Sequence, residues 1–448
     1  MLFFQNRPWQ KRLALLSLSA TCLAAVLGHR LWSAHLSWAI PYPYTLHSND
    51  PETATQTLNQ EIAFYRDRIQ QSPSDGLDRA ALAQTYLKMA RATGQSTWYL
   101  LAEQSARQSL TNLSTNNPGA TMALAQIAEA KHDFNQSIAL AKEVLALSPN
   151  HEEAKALLVT SYLAIGETAK AHQIANQLVE QLPTLGSFTL RALTHDALCL
   201  KEDAIADFHQ ALALEEPQET GSSAWARTLL GRFYAEQGEL AQAKQLYQDA
   251  LRLVPRYPLA LINLAKLETQ QGHYRKAQQR YSRVFTSEDY PAAFDHVATQ
   301  GLARIKLLQG DRQAAEEKWA IAEQQFRTHQ DLDSFGHRQE LARLLLTRGH
   351  QEDLPEALAL MEQEITLRRD HKTLSLMAWV LSRQGQWDKA QSVIKEAIAQ
   401  KSCHTETLYR AAAIEESLGN TDQAVRYQQQ AQAINPAFDD RAQRLSGL

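Results

Sequence analysis

Four cations stand at one offset in this chain. Each follows by two positions the Leu of a Leu-Gly or Leu-Ala pair: Arg232 after Leu230-Gly231, Lys266 after Leu264-Ala265, Arg304 after Leu302-Ala303 and Arg343 after Leu341-Ala342. Cations in register along one face can hold an acidic peptide, a terminal carboxylate or an anionic polymer through charge-assisted hydrogen bonds. The bland alternative is solvated or locally neutralised charge. Arg232 and Glu236 are spaced i,i+4, where a helix pairs them for about 0.2–0.5 kcal/mol. Further along, the same offset carries Trp379, and Tyr409 follows in the next unit. These aromatics either anchor a partner side chain or pack in the core.

Other chemistry is hard to place. The fifteen histidines show no metal-ligand spacing such as HExxH, and several, including His132, His151, His350 and His371, fall at turns or helix ends and read as solvated. There is no phosphate-cradling loop, no GxSxG and no dinucleotide fingerprint. No catalytic, cofactor-binding or metal-binding residue is assigned, and the chain is not expected to be an enzyme. Cys22, Cys199 and Cys403 form no CxxC pair. They read as small buried residues. A Cys199–Cys403 bridge is not expected, because it needs distant parts of the chain to come within reach.

The elements that position the cations are written as a repeat. Leu230-Gly231, Tyr234, Gly238, Ala243, Tyr247, Ala250 and Pro255 recur, shifted by 34 positions, as Leu264-Ala265, Gly272, Ala277 and Tyr281. A unit of that length is a helix pair that cannot bury its own apolar face, so neighbours must stack. The same phase appears from Leu82-Ala83 through Leu124, Leu158, Ala204, Leu302, Leu341 and Met377 to Ala412, about nine full repeats with a leading half. Small residues let the two helices of a pair approach closely, and aromatics fill the space between pairs. The stretches 286–296 and 327–334 are longer than a normal connection. Of the 448 residues, 44% are apolar and 21% charged, and the net charge is −4. No strong field draws this chain to nucleic acid.

This pattern resembles the tetratricopeptide repeat (TPR) over roughly residues 76–437. The resemblance implies an all-α, right-handed superhelical solenoid of antiparallel helix pairs. It also implies that the first helix of each pair lines a concave groove for a protein or peptide partner. The four cations then form a ladder along that groove, suited to an acidic partner, with no small-molecule substrate and no cofactor.

Residues 1–12 carry Arg7, Lys11 and Arg12, and an apolar stretch follows, 13–32, with Trp9 and Trp32 at its edges. The charge bias keeps the N-terminus in the cytoplasm and sends the remainder across. The stretch reads as a single-pass signal anchor, or as a signal peptide that is removed. Residues 33–50 read as a linker, 51–75 as a capping helix and 438–448 as a tail. The expected place is an inner or thylakoid-type membrane with the repeats in the periplasm or lumen. The expected role is a tethered interaction scaffold or assembly factor. The rival is a cytoplasm-facing adaptor that recruits an enzyme or protease.

Overall fold

Alanine-rich segments with Leu and aromatics at helical spacing favour helices that pack at short range. A computed structural model bears this out. The structure describes residues 41–44, 51–93, 95, 97–217, 219–285, 294–330 and 337–438. These residues form 21 α-helices and no strand. The expected anchor, most of the linker and the tail beyond 438 lie outside the described residues. Among the described residues no helix is long and apolar enough to cross a membrane. The chain divides into Met1–Tyr42 and Pro43–Leu448, and every described helix belongs to the second unit.

A leading helix, α1 (Pro51–Gln71), lays Leu58, Ile62, Tyr65 and Ile69 on the first pair. Ten pairs follow, one more than the nine read from the sequence. The first five are α2 (Gly76–Thr93) with α3 (Thr97–Asn112), α4 (Pro118–Ala130) with α5 (Phe134–Leu147), α6 (Glu152–Ala164) with α7 (Thr168–Gln181), α8 (Leu185–Ala197) with α9 (Lys201–Ala213), and α10 (Thr220–Glu236) with α11 (Leu240–Leu253). The other five are α12 (Pro258–Gln270) with α13 (Tyr274–Ser282), α14 (Asp295–Leu308) with α15 (Arg312–Gln330), α16 (Arg338–Arg348) with α17 (Leu354–Leu367), α18 (His371–Arg383) with α19 (Trp387–Gln400), and α20 (Thr405–Ser417) with α21 (Thr421–Ile434). The copy that opens at Leu82-Ala83 is a complete pair, α2 with α3. Of the two long connections, 286–293 and 331–336 lie outside the described residues, and 327–330 continue α15.

Local chemistry sets the ends of the helices. Asn117, Asp133, Thr184 and Asp370 accept first-turn backbone amides, satisfying donors that a helix start leaves open. The turn inside most pairs needs one left-handed residue. Glycine supplies it at Gly238 (φ 79°), while His132 (φ 59°) and Cys199 (φ 61°) take the same place in their pairs.

The first helix of a pair is buried along most of its length, and the second buries a narrow stripe. In α12 eight of thirteen residues are buried, whereas α13 buries Ala277 and Tyr281. The first helices therefore form the inner layer and the second the outer. Close approach within a pair is visible at Gly231, where an added Cβ would lie 2.6 Å from Tyr247 Cε1. Gly231→Leu is expected to destabilise the chain by about 1–3 kcal/mol through overpacking. An unchanged urea midpoint would show that the contact is loose.

The winding overturns one expectation. Cys199 and Cys403 are joined by a disulfide, with Cα atoms 5.8 Å apart across 204 residues of sequence. Counted in helix pairs, that separation runs from the middle of the fourth pair to the end of the ninth, so the superhelix returns on itself after about five and a half pairs. Cys199 sits in the α8–α9 turn and Cys403 between α19 and α20. Spacing along a chain cannot reveal this, because it depends on the small rotation accumulated from pair to pair.

Candidate functional site: the inner wall and its seam

The bridge is one point on a longer seam. Lys401 Nζ lies 2.8 Å from Asp196 Oδ1 and 4.0 Å from Glu236 Oε2, and Lys401 is buried. Lys372 Nζ donates to Glu236 Oε1 at 3.1 Å. The Asn435 side-chain amide donates to the carbonyls of Ala235 and Glu236 at 3.4 and 3.2 Å. Gln270 Nε2 donates to the Ala437 carbonyl at 2.9 Å. The turns that follow α8, α10 and α12 therefore meet the connections around α18, α20 and the end of α21. His371 and His404 face each other at this seam, ring centroids 4.9 Å apart. Burial pushes His404 down to about 4 and His371 well below the usual histidine range. The reading of His371 as a solvated turn residue does not hold, since the seam covers it.

Closure changes the surroundings of the four cations. Lys266 is exposed to water, while Arg232, Arg304 and Arg343 are half-buried. All lie on first helices, the inner layer. Confinement by surrounding protein pushes Lys266 down to about 8, helped by the charges of Arg343, Arg304, Lys372 and Arg232. Neighbouring positive charges disfavour the charged form of a lysine, and among those that act on Lys266 is Lys372 from α18.

Carboxylates border these cations. Burial opposes ionisation of Glu236, but Lys372, Lys401, His404 and Arg232 hold it well below the usual range. Burial likewise opposes the charge on Glu406, yet Arg410 first and then Arg343 hold it at about 2. Arg343 Nη1 lies 3.7 Å from Glu406 Oε1, and Arg410 donates to the same oxygen. Among the described residues, no carboxylate lies within ion-pair distance of Arg232, Lys266 or Arg304. Glu236, four residues from Arg232 in sequence, turns to the seam lysines instead.

The aromatic candidates are placed differently. Trp379 is 3% exposed, and the Arg410 guanidinium lies 4.7 Å from its ring centroid. A covered ring offers no open face to a partner, so Trp379 packs beneath the wall. Tyr409 is half-buried and stacks on Phe438, centroids 4.5 Å apart. The end of the repeat array occupies that surface. Lys372, Lys401, Glu406 and Arg410 were missed from sequence. Lys372 and Glu406 lie in the first turn of a first helix, off the offset that marked the ladder.

Comparison with known proteins follows from this architecture. The family described as MalT-like TPR region matches residues 120–400, and a tetratricopeptide repeat model matches 375–437. The chain is 25% identical to cellulose synthase operon protein C of Pseudomonas fluorescens (strain SBW25) over 185 residues, 39% of this chain and 14% of that protein. It is 40% identical to the uncharacterized protein ycf37 of Pyropia yezoensis over 58 residues, 13% of this chain and 33% of that one. The chain thus spans less than two thirds of each relative. Among solved structures, the Cut9–Hcn1 heterotetramer of APC/C aligns at 12% identity with a TM-score of 0.38, covering 88% of this chain and 94% of that one. A human IFIT1 dimer with PPP-AAAA aligns at 16% identity and a TM-score of 0.45, covering 86% of each chain.

Proposed function

The chain belongs to the MalT-like TPR region family, and from that premise we propose that it is a membrane-tethered interaction scaffold, an assembly factor that holds a partner protein against its inner wall. The observation that carries this reading is a water-reachable inner wall whose central cations, Arg232, Lys266 and Arg304, have no carboxylate within ion-pair distance among the described residues. A TPR array presents concave surface for binding. The apolar stretch at 13–32 supplies the tether in this reading, with the basic N-terminus in the cytoplasm.

The disulfide supports the same placement. Such bridges persist in oxidising compartments and are rare where thiols are kept reduced. A repeat region in the periplasm or lumen of an inner or thylakoid-type membrane meets that requirement, whereas a cytoplasm-facing adaptor does not. In this reading the superhelix is locked by its own compartment, and the partner meets a preformed wall.

Affinity capture from native membranes tests the proposal. The full-length chain is compared with a form carrying Arg232→Glu and Arg304→Glu. Charge reversal on the wall is expected to reduce capture of an envelope or membrane partner by about tenfold or more, equivalent to at least about 1.4 kcal/mol, with circular dichroism unchanged. Equal capture by a normally helical variant would remove the inner wall from the account.

A further inference from the structure

We infer that the seam is an acid-released latch: protonation of His371 and His404 parts the turns from the connections on either side of the Cys199–Cys403 bond, and the coil loosens about that bond. The latch is independent of what the inner wall binds.

Three observations converge on it. First, both rings have a place only as neutral groups. His404 caps α20: its Nδ1 accepts from the Thr407 amide at 3.4 Å and meets Thr407 Oγ1 at 2.8 Å. An imidazole nitrogen accepts only while it carries no proton, so a second proton costs the cap. His371 Nε2 is buried and has no hydrogen-bond partner among the described residues. In the charged ring both nitrogens carry protons, and that N–H would be left buried and unmet.

Second, the charges at the seam already balance. Glu236 on α10 faces Lys372 on α18 at 3.1 Å and Lys401, just ahead of α20, at 4.0 Å. Asp196 on α8 holds Lys401 at 2.8 Å. Glu406 on α20 is taken by Arg410 and Arg343. The two rings lie 4.9 Å apart beside these groups. Protonating both adds two like charges where two lysines already match two carboxylates. Third, the seam has no room for the water that an imidazolium needs. A Cβ on Gly238 would stand 2.6 Å from Asn435 Oδ1, and one on Gly166 would stand 2.9 Å from the Arg369 carbonyl oxygen. Hydrating the charged rings therefore requires the windings to separate.

The direction of titration agrees. Burial comes first and lowers both histidines. On His371, the charges of His404, Lys401 and Lys372 add to it and Glu236 opposes it. On His404, Glu236 and Glu406 oppose it, and Lys372 and Lys401 add to it. Burial prevails, and His404 stands at about 4. In an open seam the rings return toward about 6.5. Their contribution to closure is therefore complete above about pH 6.5 and is lost as pH falls toward 4. Each ring weakens closure by up to about tenfold per pH unit in that window.

Hydrogen exchange of the full-length chain in detergent, read by mass spectrometry between pH 7 and 4.5 and corrected for intrinsic rates, tests the latch. Amides around Glu236 and Lys401 should exchange at least about tenfold faster at pH 5 than at pH 7, while those of α2 keep their rate. His404→Asn retains a capping side chain. Combined with His371→Gln it should abolish the acceleration, and each single variant should remove part of it. Circular dichroism at pH 7 verifies folding. Should the double variant lose helicity, His371→Gln alone, which leaves the α20 cap in place, carries the same test. No acceleration at the seam in the parent, equal acceleration in α2, or a folded double variant that accelerates as the parent does would each overturn the latch.

Discussion

Replacing Cys199 and Cys403 by serine is expected to lower the stability of the wound array by up to about 5 kcal/mol. The estimate follows from loop closure: a cross-link spanning 204 residues removes more unfolded-chain entropy than one spanning a short loop. The loss should concentrate where the coil meets itself. Repeat arrays unfold by neighbouring units rather than always as a whole, so the pairs on either side of the seam should loosen first. Lys401–Asp196, Lys372–Glu236 and the Asn435 amide remain to hold the turns together. The coil should therefore stay wound at low denaturant and open at a lower urea midpoint. Hydrogen exchange should speed up around Asp196, Glu236 and Lys401 in the variant. An unchanged midpoint with unchanged exchange would mean that the two turns are not held together in solution.

The second large effect is expected at Arg227, on α10. Its guanidinium meets the Glu215 carboxylate, Nη2 donating to Oε2 at 3.0 Å, and both side chains are sealed from water. Arg227→Met leaves a buried carboxylate without its cation, which typically costs about 3–5 kcal/mol. Arg227→Met together with Glu215→Leu should recover most of that loss, since an apolar pair carries no charge to desolvate. Urea unfolding of the two variants beside the parent provides the measurement. If the single variant loses less than about 1 kcal/mol, the pair is open to water and behaves as a surface ion pair.

Much of this architecture was legible in the sequence because repeat physics is local. Leu230-Gly231, Gly238, Ala243 and Tyr247 show directly where two helices must touch, and Gly231 against Tyr247 is that touch. The first pair was harder to read, since more residues separate Tyr86 from Ala102 in the sequence than in the other units. Long-range features did not appear in the pattern. Cys199 occupies a turn position that glycine fills in other pairs, and nothing near it in sequence points to Cys403. His371 looked like a surface residue because part of its cover comes from Glu236 at the end of α10, four pairs earlier. The ladder of Arg232, Lys266, Arg304 and Arg343 was visible as an offset, but its company was not. Whether Glu236 neutralises Arg232 or turns to Lys372 and Lys401 depends on the winding. The choice between anchoring and packing at Trp379 and Tyr409 was open in the sequence for a related reason. An offset places a residue on a helix face, and burial beneath Arg410 or stacking on Phe438 is decided by what packs over it.

The central claim is that this wound array binds its partner on the inner wall, in an oxidising compartment beyond the membrane. Covalent crosslinking and capture of the full-length chain from its native membrane, followed by mass spectrometry, addresses it most directly, with the Arg232→Glu and Arg304→Glu form run in parallel. The account predicts one defined envelope or membrane protein crosslinked to the parent and lost from the doubly reversed form. Recovery of cytoplasmic enzymes, or of the same partner in equal amount with both forms, would contradict it.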